Sequence, residues 1–443
     1  MKKTAGIVAI AAGLAMLALP TLAQAQILAG ITLEKLGALD LRGAGARPFA
    51  MGGAYTALSD DAFGLMYNPA GLAEVTRREL TVGLHFRRDD ITNVNDFLAE
   101  HSSDNTSLDH AAVVYPYPTF RGSMVLAFGV FRVGSSSFES IKNALLSESS
   151  AAVTNIFKQS GDIYNYDLGI GFDISPRIAA GLTLVLWDEN IDFSDEIDQA
   201  DPDSTLFFTD DVSINLDGFS FNVGLLFRPS DATRIGLAFT SPAWLNYAGE
   251  GITNLSGDFT AGGGFTTEPV RARIDDDYTL PMKFTGGASA RISQLLLSAD
   301  VGFSDYSQTK FNGSVITDEL DPADESVLKA KWDVHAGAEL ALPWFPMYLR
   351  GGFSYVPLPI ATVEELAFLS QDAPVSRVAS FDMTKERRFW TVGIGGLIDR
   401  VLSLDAALSF GGYEKVTRDL AGATVFSEKR DIAEFIVSGS YRF

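Results

Sequence analysis

The sequence has no cysteine. That excludes disulfides and thiolate metal centres, so hydrogen bonds and packing must hold the framework. Positive charge is also short, with 34 Lys and Arg against 56 Asp and Glu and a formal charge of -22. A nucleic-acid partner is therefore not expected, because phosphate binding needs a basic surface. Histidine occurs only at His85, His101, His110 and His335, and no G-x-S-x-G, H-E-x-x-H or phosphate-loop pattern is present. A Ser/His hydrolase is the one catalytic arrangement those histidines leave open; otherwise neither enzyme chemistry nor a cofactor or metal is expected.

Long apolar runs are missing beyond the N-terminus. There Lys2 and Lys3 precede the apolar stretch Ala5 to Pro20 and the small-residue end Ala23-Gln24-Ala25, the three parts of a secretory signal peptide over residues 1–25. No later run reaches the roughly 20 apolar residues a membrane helix needs. Yet the chain is 47% hydrophobic and 11% aromatic, with 41 glycines.

What the chain does have, from residue 79 onward, is strict alternation. Tyr164, Tyr166, Leu168, Ile170, Phe172 and Ile174 hold every second position, and Phe219 to Phe227 and Phe435 to Phe443 repeat the pattern. This is the period of a strand. Strands are expected at 79–88, 110–117, 122–133, 163–174, 178–190, 218–229, 233–242, 281–291, 294–305, 331–342, 347–356, 387–397, 401–413 and 432–443. Short turns follow the even strands and long connections the odd ones, as in transmembrane barrels. The expected fold is all-β: a 14-stranded antiparallel transmembrane β-barrel at 77–443, its even strand count closing the edge. The chain ends on Phe443 in phase with the lipid-facing set, an aromatic end that resembles the signal read by barrel-insertion machinery. The same phase turns His85, Arg87, Arg228, Lys283, His335 and Arg350 toward the lumen, with Asp167, Asp300, Asp333, Glu339 and Asp405. The cations can serve a ligand carboxylate or pair with those acids.

Residues 26–76 do not alternate and are rich in Gly and Ala, as suits a compact plug inside a barrel too wide to fill itself. Ser59 or Asp60 is expected to cap a short helix that Asn68-Pro69 stops. The order Gly43 to Ala57, Asp60-Asp61-Ala62 and Asn68-Pro69-Ala70-Gly71 resembles the plug of the FadL/TodX outer-membrane transport family. Ile235 to Pro242, Thr279-Leu280-Pro281 and Leu349 to Tyr355 extend the resemblance into the barrel. It implies passive uptake of hydrophobic small molecules, long-chain fatty acids or hydrocarbons, through a plugged barrel and out by a wall opening. Phe49, Met51, Phe63, Leu65, Met66 and Tyr67 are candidate path residues, with Arg87, Arg228, Lys283 and Arg350 from the wall and Asp60, Asp61, Asn68, Pro69 and Gly71 as the plug motif. The expected partners are the ligand, outer-membrane lipid and lipopolysaccharide, and the insertion machinery, for a monomer in the cell outer membrane. Gly45-Ala46-Arg47 with Met51-Gly52-Gly53-Ala54 is closer to PorV-like barrels, which implies a protein-secretion component as the alternative.

Two segments are expected outside the barrel wall. Asp195, Glu196, Asp198, Asp201, Asp203, Asp210 and Asp211, and later Asp318, Glu319, Asp321, Asp324 and Glu325, read as solvated acidic loops or divalent-cation sites. Phe138, Ile141, Leu145, Val153, Ile156 and Phe157 have helical spacing, which suggests a ligand-landing surface or a loop folded on the rim.

Overall fold

The computed structural model describes residues 43–94, 100–135, 138–146, 151–201, 204–259, 262–315, 328–359, 363–366, 378–383, 386–419 and 424–443. The signal-peptide residues, residues 26–42 of the expected plug and the acidic residues 318–325 lie outside these, as does Asp203.

Fourteen strands close into one antiparallel barrel. The first six are Glu79–Val94, Glu100–Tyr117, Met124–Ser135, Asp162–Ser175, Ile178–Asp201 and Ser204–Ser230. The seventh runs as Thr233–Thr240 and Ala243–Phe259, and the eighth as Val270–Leu280 and Lys283–Ile292. Both break at the same height, where Pro242 faces Pro281 and neither can donate to the ladder. The last six are Leu295–Asp305, Ala330–Ala341, Met347–Tyr355, Arg388–Ile398, Leu402–Asp419 and Thr424–Arg442. Strand one pairs with strand fourteen from Glu79↔Arg442 to Val94↔Ser427, which closes the barrel. Phe443 N–H continues this seam onto the Arg78 carbonyl at 3.0 Å.

One end of the barrel carries tight turns and the other the longer excursions. Asp399 and Arg400, at φ 50° and 57°, make a two-residue turn of the kind that follows strand twist. The outer surface has an apolar belt. Its loop-end border is an aromatic row in which Phe239, Phe284, Phe303 and Trp332 stand directly opposite one another across strands seven to ten. Phe353, Trp390 and Phe410 continue it across strands eleven to thirteen. Aromatic rings at this depth suit a membrane interface. Among the described residues no helix is long and apolar enough to cross a membrane; the strands do so.

Two expectations fail here. The acidic segment is not loop: Asp195, Glu196, Asp198 and Asp201 lie on strand five, and Asp210 and Asp211 on strand six. These strands pair in unbroken register from Ile178↔Phe227 to Asp201↔Ser204, far above the aromatic row. The segment with helical spacing is likewise a hairpin, Phe138–Leu146 with Ala151–Ser160, whose second strand pairs with strand five from Ala152↔Ala200 to Ser160↔Asp192. A ladder already present on strand five satisfies the hairpin's backbone groups, and that outweighs a weak helical spacing.

Polarity inverts along the taller strands. On strand five the outward residues Leu182, Leu184 and Leu186 give way to Asp188, Asn190 and Asp192, while inward Thr183 and Val185 give way to buried Ile191 and Phe193. On strand six the outward Phe219 is followed toward the loop end by Asp217, Asn215 and Ser213, while Leu216 and Ile214 turn inward. Below the switch the wall meets lipid outside and polar groups inside. Above it strands five and six meet water outside and carry Ile191, Phe193, Ile214 and Leu216 inside, beside the buried Glu189.

Candidate functional site: plug seat and apolar vestibule

Residues 43–75 fill the lumen with two helical turns, Ala46–Ala50 and Gly64–Tyr67, and a 3-10 turn, Pro69–Glu74. Such short turns cannot satisfy their own backbone, so the wall must. Asp300 accepts the N–H groups of Tyr55 and Thr56 at 2.8 and 2.7 Å, and Asp109 accepts Gly45 N–H at 2.8 Å. His335 Nδ1 donates to the Gly52 carbonyl at 2.7 Å, and Thr391 Oγ1 to the Ala50 carbonyl at 3.1 Å.

Asn68-Pro69-Ala70-Gly71 forms the tightest contact. Asn68 is fully buried; its Nδ2 donates to the carbonyls of Thr56 at 2.8 Å and Leu225 at 3.2 Å, and its Oδ1 accepts Ala70 N–H at 3.1 Å. The turn rests on wall glycines of strands five and six. A Cβ at Gly181 would lie 2.2 Å from the Pro69 carbonyl carbon, and one at Gly224 2.0 Å from Asn68 Oδ1. Only glycine permits this approach. Neither Ser59 nor Asp60 caps the helix that Asn68 ends. Ser59 Oγ turns back to the Tyr55 carbonyl, and Asp61 Oδ1 accepts Phe63 N–H at 3.1 Å instead.

Beside this seat lies an ionic cluster. Arg47 donates to Asp60 at 2.6 Å, to Glu339 at 3.2 Å and to the Tyr55 hydroxyl at 2.9 Å. Tyr55 in turn donates to Asp61 at 2.5 Å. Burial, reinforced by the neighbouring Asp60 charge and opposed by Arg47, raises Asp61 from 3.8 to about 7, whereas the Arg47 guanidinium overrides burial and holds Asp60 below its usual range. A raised carboxyl favours the folded plug while it keeps its proton. The Asp61 contribution is therefore full below about pH 4 and is lost as the pH rises to about 7. Limited proteolysis of the plug across this range is expected to show cleavage rising with pH, and Asp61→Asn to flatten the profile. A rise equally steep in the variant would place the titration elsewhere.

Above the plug the inverted wall forms a vestibule. Leu216, Leu245, Tyr278, Leu280, Tyr306 and Leu328 pack together, with Trp187 and Tyr247 against them. Ile191, Phe193 and Ile214 form a second cluster that shares Tyr247. At the foot of the first cluster Lys283 and Lys331 share one carboxylate, Asp333, at 3.0 and 3.3 Å. Lys331 Nζ lies 5.4 Å from the Tyr306 ring centre. Among the described residues the buried hydroxyls of Tyr278 and Thr309 have no hydrogen-bond partner.

The expected path residues are distributed as follows. Phe49 packs with Ala46 and Ala50 against Ala407 and Ile436, while Met51, Phe63 and Leu65 share a cluster with Phe131. Met66 and Tyr67 are half-buried beside that cluster. The four wall cations all meet carboxylates: Arg87 meets Asp89 and Glu434, Arg228 meets Glu74 and Asp173, Lys283 meets Asp333, and Arg350 meets Glu339 and Asp405. Sequence reasoning missed Arg47, Asp109, Thr391, Lys331 and the aromatic vestibule. A readable signal for the seat was glycine recurring at inward positions 169, 171, 181 and 224.

The fold and its filled lumen define a membrane-spanning, fourteen-stranded β-barrel with an internal plug. A family model described as BamG matches residues 7–326, and the chain belongs to the BamG family. Solved structures share the barrel fold. The Pseudomonas putida toluene transporter TodX gives a TM-score of 0.65 at 16% identity over 91% of this chain and 99% of that one. A Pseudomonas aeruginosa FadL homologue gives 0.62 at 14% identity over 90% and 98%. The Ralstonia pickettii toluene transporter TbuX gives 0.55 at 16% over 91% and 99%. No curated protein matches the chain.

Proposed function

We propose that this protein is an outer-membrane channel for passive uptake of hydrophobic small molecules, made with a signal peptide at residues 1–25, a plug at 26–76 and a barrel at 77–443. The observation that carries the reading is the polarity inversion: above the lipid boundary the inner wall of strands five to eight turns apolar, where a water-filled pore would stay polar. Solved barrels of this fold include toluene transporters. Apolar lining with a few convergent polar groups is the usual composition of a ligand site. No energy source is required, because an apolar path lowers the barrier that lipopolysaccharide sets against such solutes.

Among hydrophobic solutes the vestibule favours one with an anionic head. Lys283 and Lys331 share a single carboxylate, and among the described residues the buried hydroxyls of Tyr278 and Thr309 have no hydrogen-bond partner. A fatty-acid carboxylate would take these donors while its chain lies on Leu216, Leu245 and Tyr306. The exit is assigned to the seam between strands two and three. Their pairing stops at His110↔Phe131, although strand two continues to Glu100 and strand three to Ser135. The channel acts as a monomer set in lipopolysaccharide, placed there by barrel-insertion machinery.

Lys331→Met tests this. Loss of a charge-assisted hydrogen bond, about 1.5 to 3 kcal/mol, should weaken binding of a long-chain fatty acid to the purified barrel roughly tenfold or more and leave an alkane of equal length unaffected. Unchanged affinity for both ligands would remove the vestibule from the path.

A further inference from the structure

Two glycines on the lipid-facing surface do not serve the plug. A Cβ at Gly396 would have the Pro346 carbonyl oxygen as its nearest neighbour, at 3.9 Å, and one at Gly439 would have Leu404, at 3.5 Å. Both belong to one outward row, Met347, Gly396, Leu404, Gly439 and Val82, which crosses strands eleven to fourteen and one. With two side chains missing from that row the surface opens into an apolar groove of about 880 Å³, with Phe345 and Ile398 at its turn end and Ile394 at the other. Residues 394–398 span about 13 Å of strand, which fits within one leaflet of a hydrocarbon core about 30 Å thick. The tight turn Asp399-Arg400 follows Ile398 directly, so the groove lies in the leaflet on the turn side.

Arginines gather at the turn end of this groove. Arg77, Arg78 and Arg400 are all exposed there. Arg77 passes the end of strand fourteen and donates Nη1 to the Arg400 carbonyl at 3.2 Å, which brings the two residues together. Arg78 donates Nη2 to the Tyr115 hydroxyl at 3.3 Å, its guanidinium 4.7 Å from the ring centre. Arg442 beside them is neutralised by Glu79 at 2.7 Å. Among the described residues Arg77, Arg78 and Arg400 meet no carboxylate at salt-bridge distance, and Asp399 of the turn leaves the edge net positive. The four wall cations of the lumen all meet acids, and the chain as a whole carries a formal charge of -22. A positive edge is the exception here, and it stands at the depth of lipid headgroups.

We propose that the groove and these arginines bind one anionic phospholipid of the periplasmic leaflet, its phosphate on Arg77 and Arg400 and one acyl chain along Gly396 and Gly439. Guanidinium groups match phosphate oxygens in a bidentate fork. A basic edge at headgroup depth favours an anionic lipid over a zwitterionic one, and the apolar slot above it requires a chain as well as a phosphate. The bound lipid would lie across the closing seam of strands fourteen and one, where Gly439 stands opposite Val82, so that occupancy holds the two ends of the barrel together.

The test is native mass spectrometry of the purified full-length barrel in detergent, with dioleoyl phosphatidylglycerol or dioleoyl phosphatidylcholine added at equal concentration. The barrel is expected to retain one phosphatidylglycerol and several-fold less phosphatidylcholine, and phosphatidylglycerol should raise the unfolding midpoint as its concentration rises, as for any ligand bound only by the folded state. Arg77→Gln with Arg400→Gln should remove the preference between the two lipids. Gly396→Leu, whose side chain has room to project into the groove, should lower retention of both. Equal retention of the two lipids by the parent would overturn the proposal. So would a phosphatidylglycerol adduct undiminished in Gly396→Leu, which would mean that the phosphate alone is held. A parent that carries no lipid and runs as a dimer, returned to monomer by Gly396→Leu, would give the groove to a second copy and overturn it as well. Should the double arginine variant fail to fold, the parent's lipid preference and Gly396→Leu decide between these outcomes.

Discussion

Leu184→Arg should cost about 2 to 4 kcal/mol of folded stability, the usual penalty for a cation at mid-bilayer depth. Asn190→Arg, further along the same outward face of strand five, should stay within about 0.5 kcal/mol, as surface substitutions generally do. The contrast follows from the polarity inversion. Leu184 is 52% exposed on the belt, whereas Asn190 stands beyond Asp188, where the outward side chains are polar. Ile191→Arg completes the set. Its side chain is 1% exposed and packs with Phe193 and Ile214, so a cation there should be as damaging as one in lipid although it lies on the opposite face. Denaturant titration of the compact barrel band in gel electrophoresis would measure all three. If Asn190→Arg costs as much as Leu184→Arg, the bilayer boundary is misplaced. If Ile191→Arg is silent, the vestibule wall is wet and the apolar path does not exist.

The inversion also explains what the sequence could and could not tell. All fourteen barrel strands were legible because alternation persists wherever one face meets lipid and the other the lumen. Strands five and six looked short because the apolar phase shifts by one: Leu186 is outward and Ile191 inward, Phe219 outward and Leu216 inward. A reader of alternation meets a broken period and a cluster of aspartates there and infers a loop. The backbone does not notice. Its ladder continues because each strand has a partner on both sides, including the hairpin strand Ala151–Ser160. The lumen acids and cations were placed by phase, but their pairing was not. That depends on which rows of neighbouring strands come into register, as with Glu339 opposite Arg350. Arg47 was invisible for a different reason: a lone arginine in a Gly-Ala-rich segment carries no period, and its partners lie on a remote strand and a distant turn of the plug.

Asn68→Ala is expected to release the plug without unmaking the barrel. The side chain makes three hydrogen bonds, and their loss strands the buried Thr56 carbonyl and Ala70 N–H at roughly 1 to 3 kcal/mol each. The barrel ladder involves none of these bonds apart from the contact to the Leu225 carbonyl, so the folded band should form in normal yield. Pro69 still fixes its own backbone angle, but the turn it begins loses its hold on the wall. Gly224→Ala should reproduce the effect from the opposite side, because its new Cβ would collide with Asn68 Oδ1. Both variants should become sensitive to protease within residues 43–75, leak small polar solutes, and take up a long-chain or aromatic hydrophobic solute more slowly. A plug that only seals the lumen would give the leak without the selective loss. If hydrophobic uptake is unchanged in both variants and in a complete deletion, while export of another protein fails, the channel reading falls. The PorV-like secretion role then takes its place, with the plug seat serving to brace a wall that partner proteins load from outside.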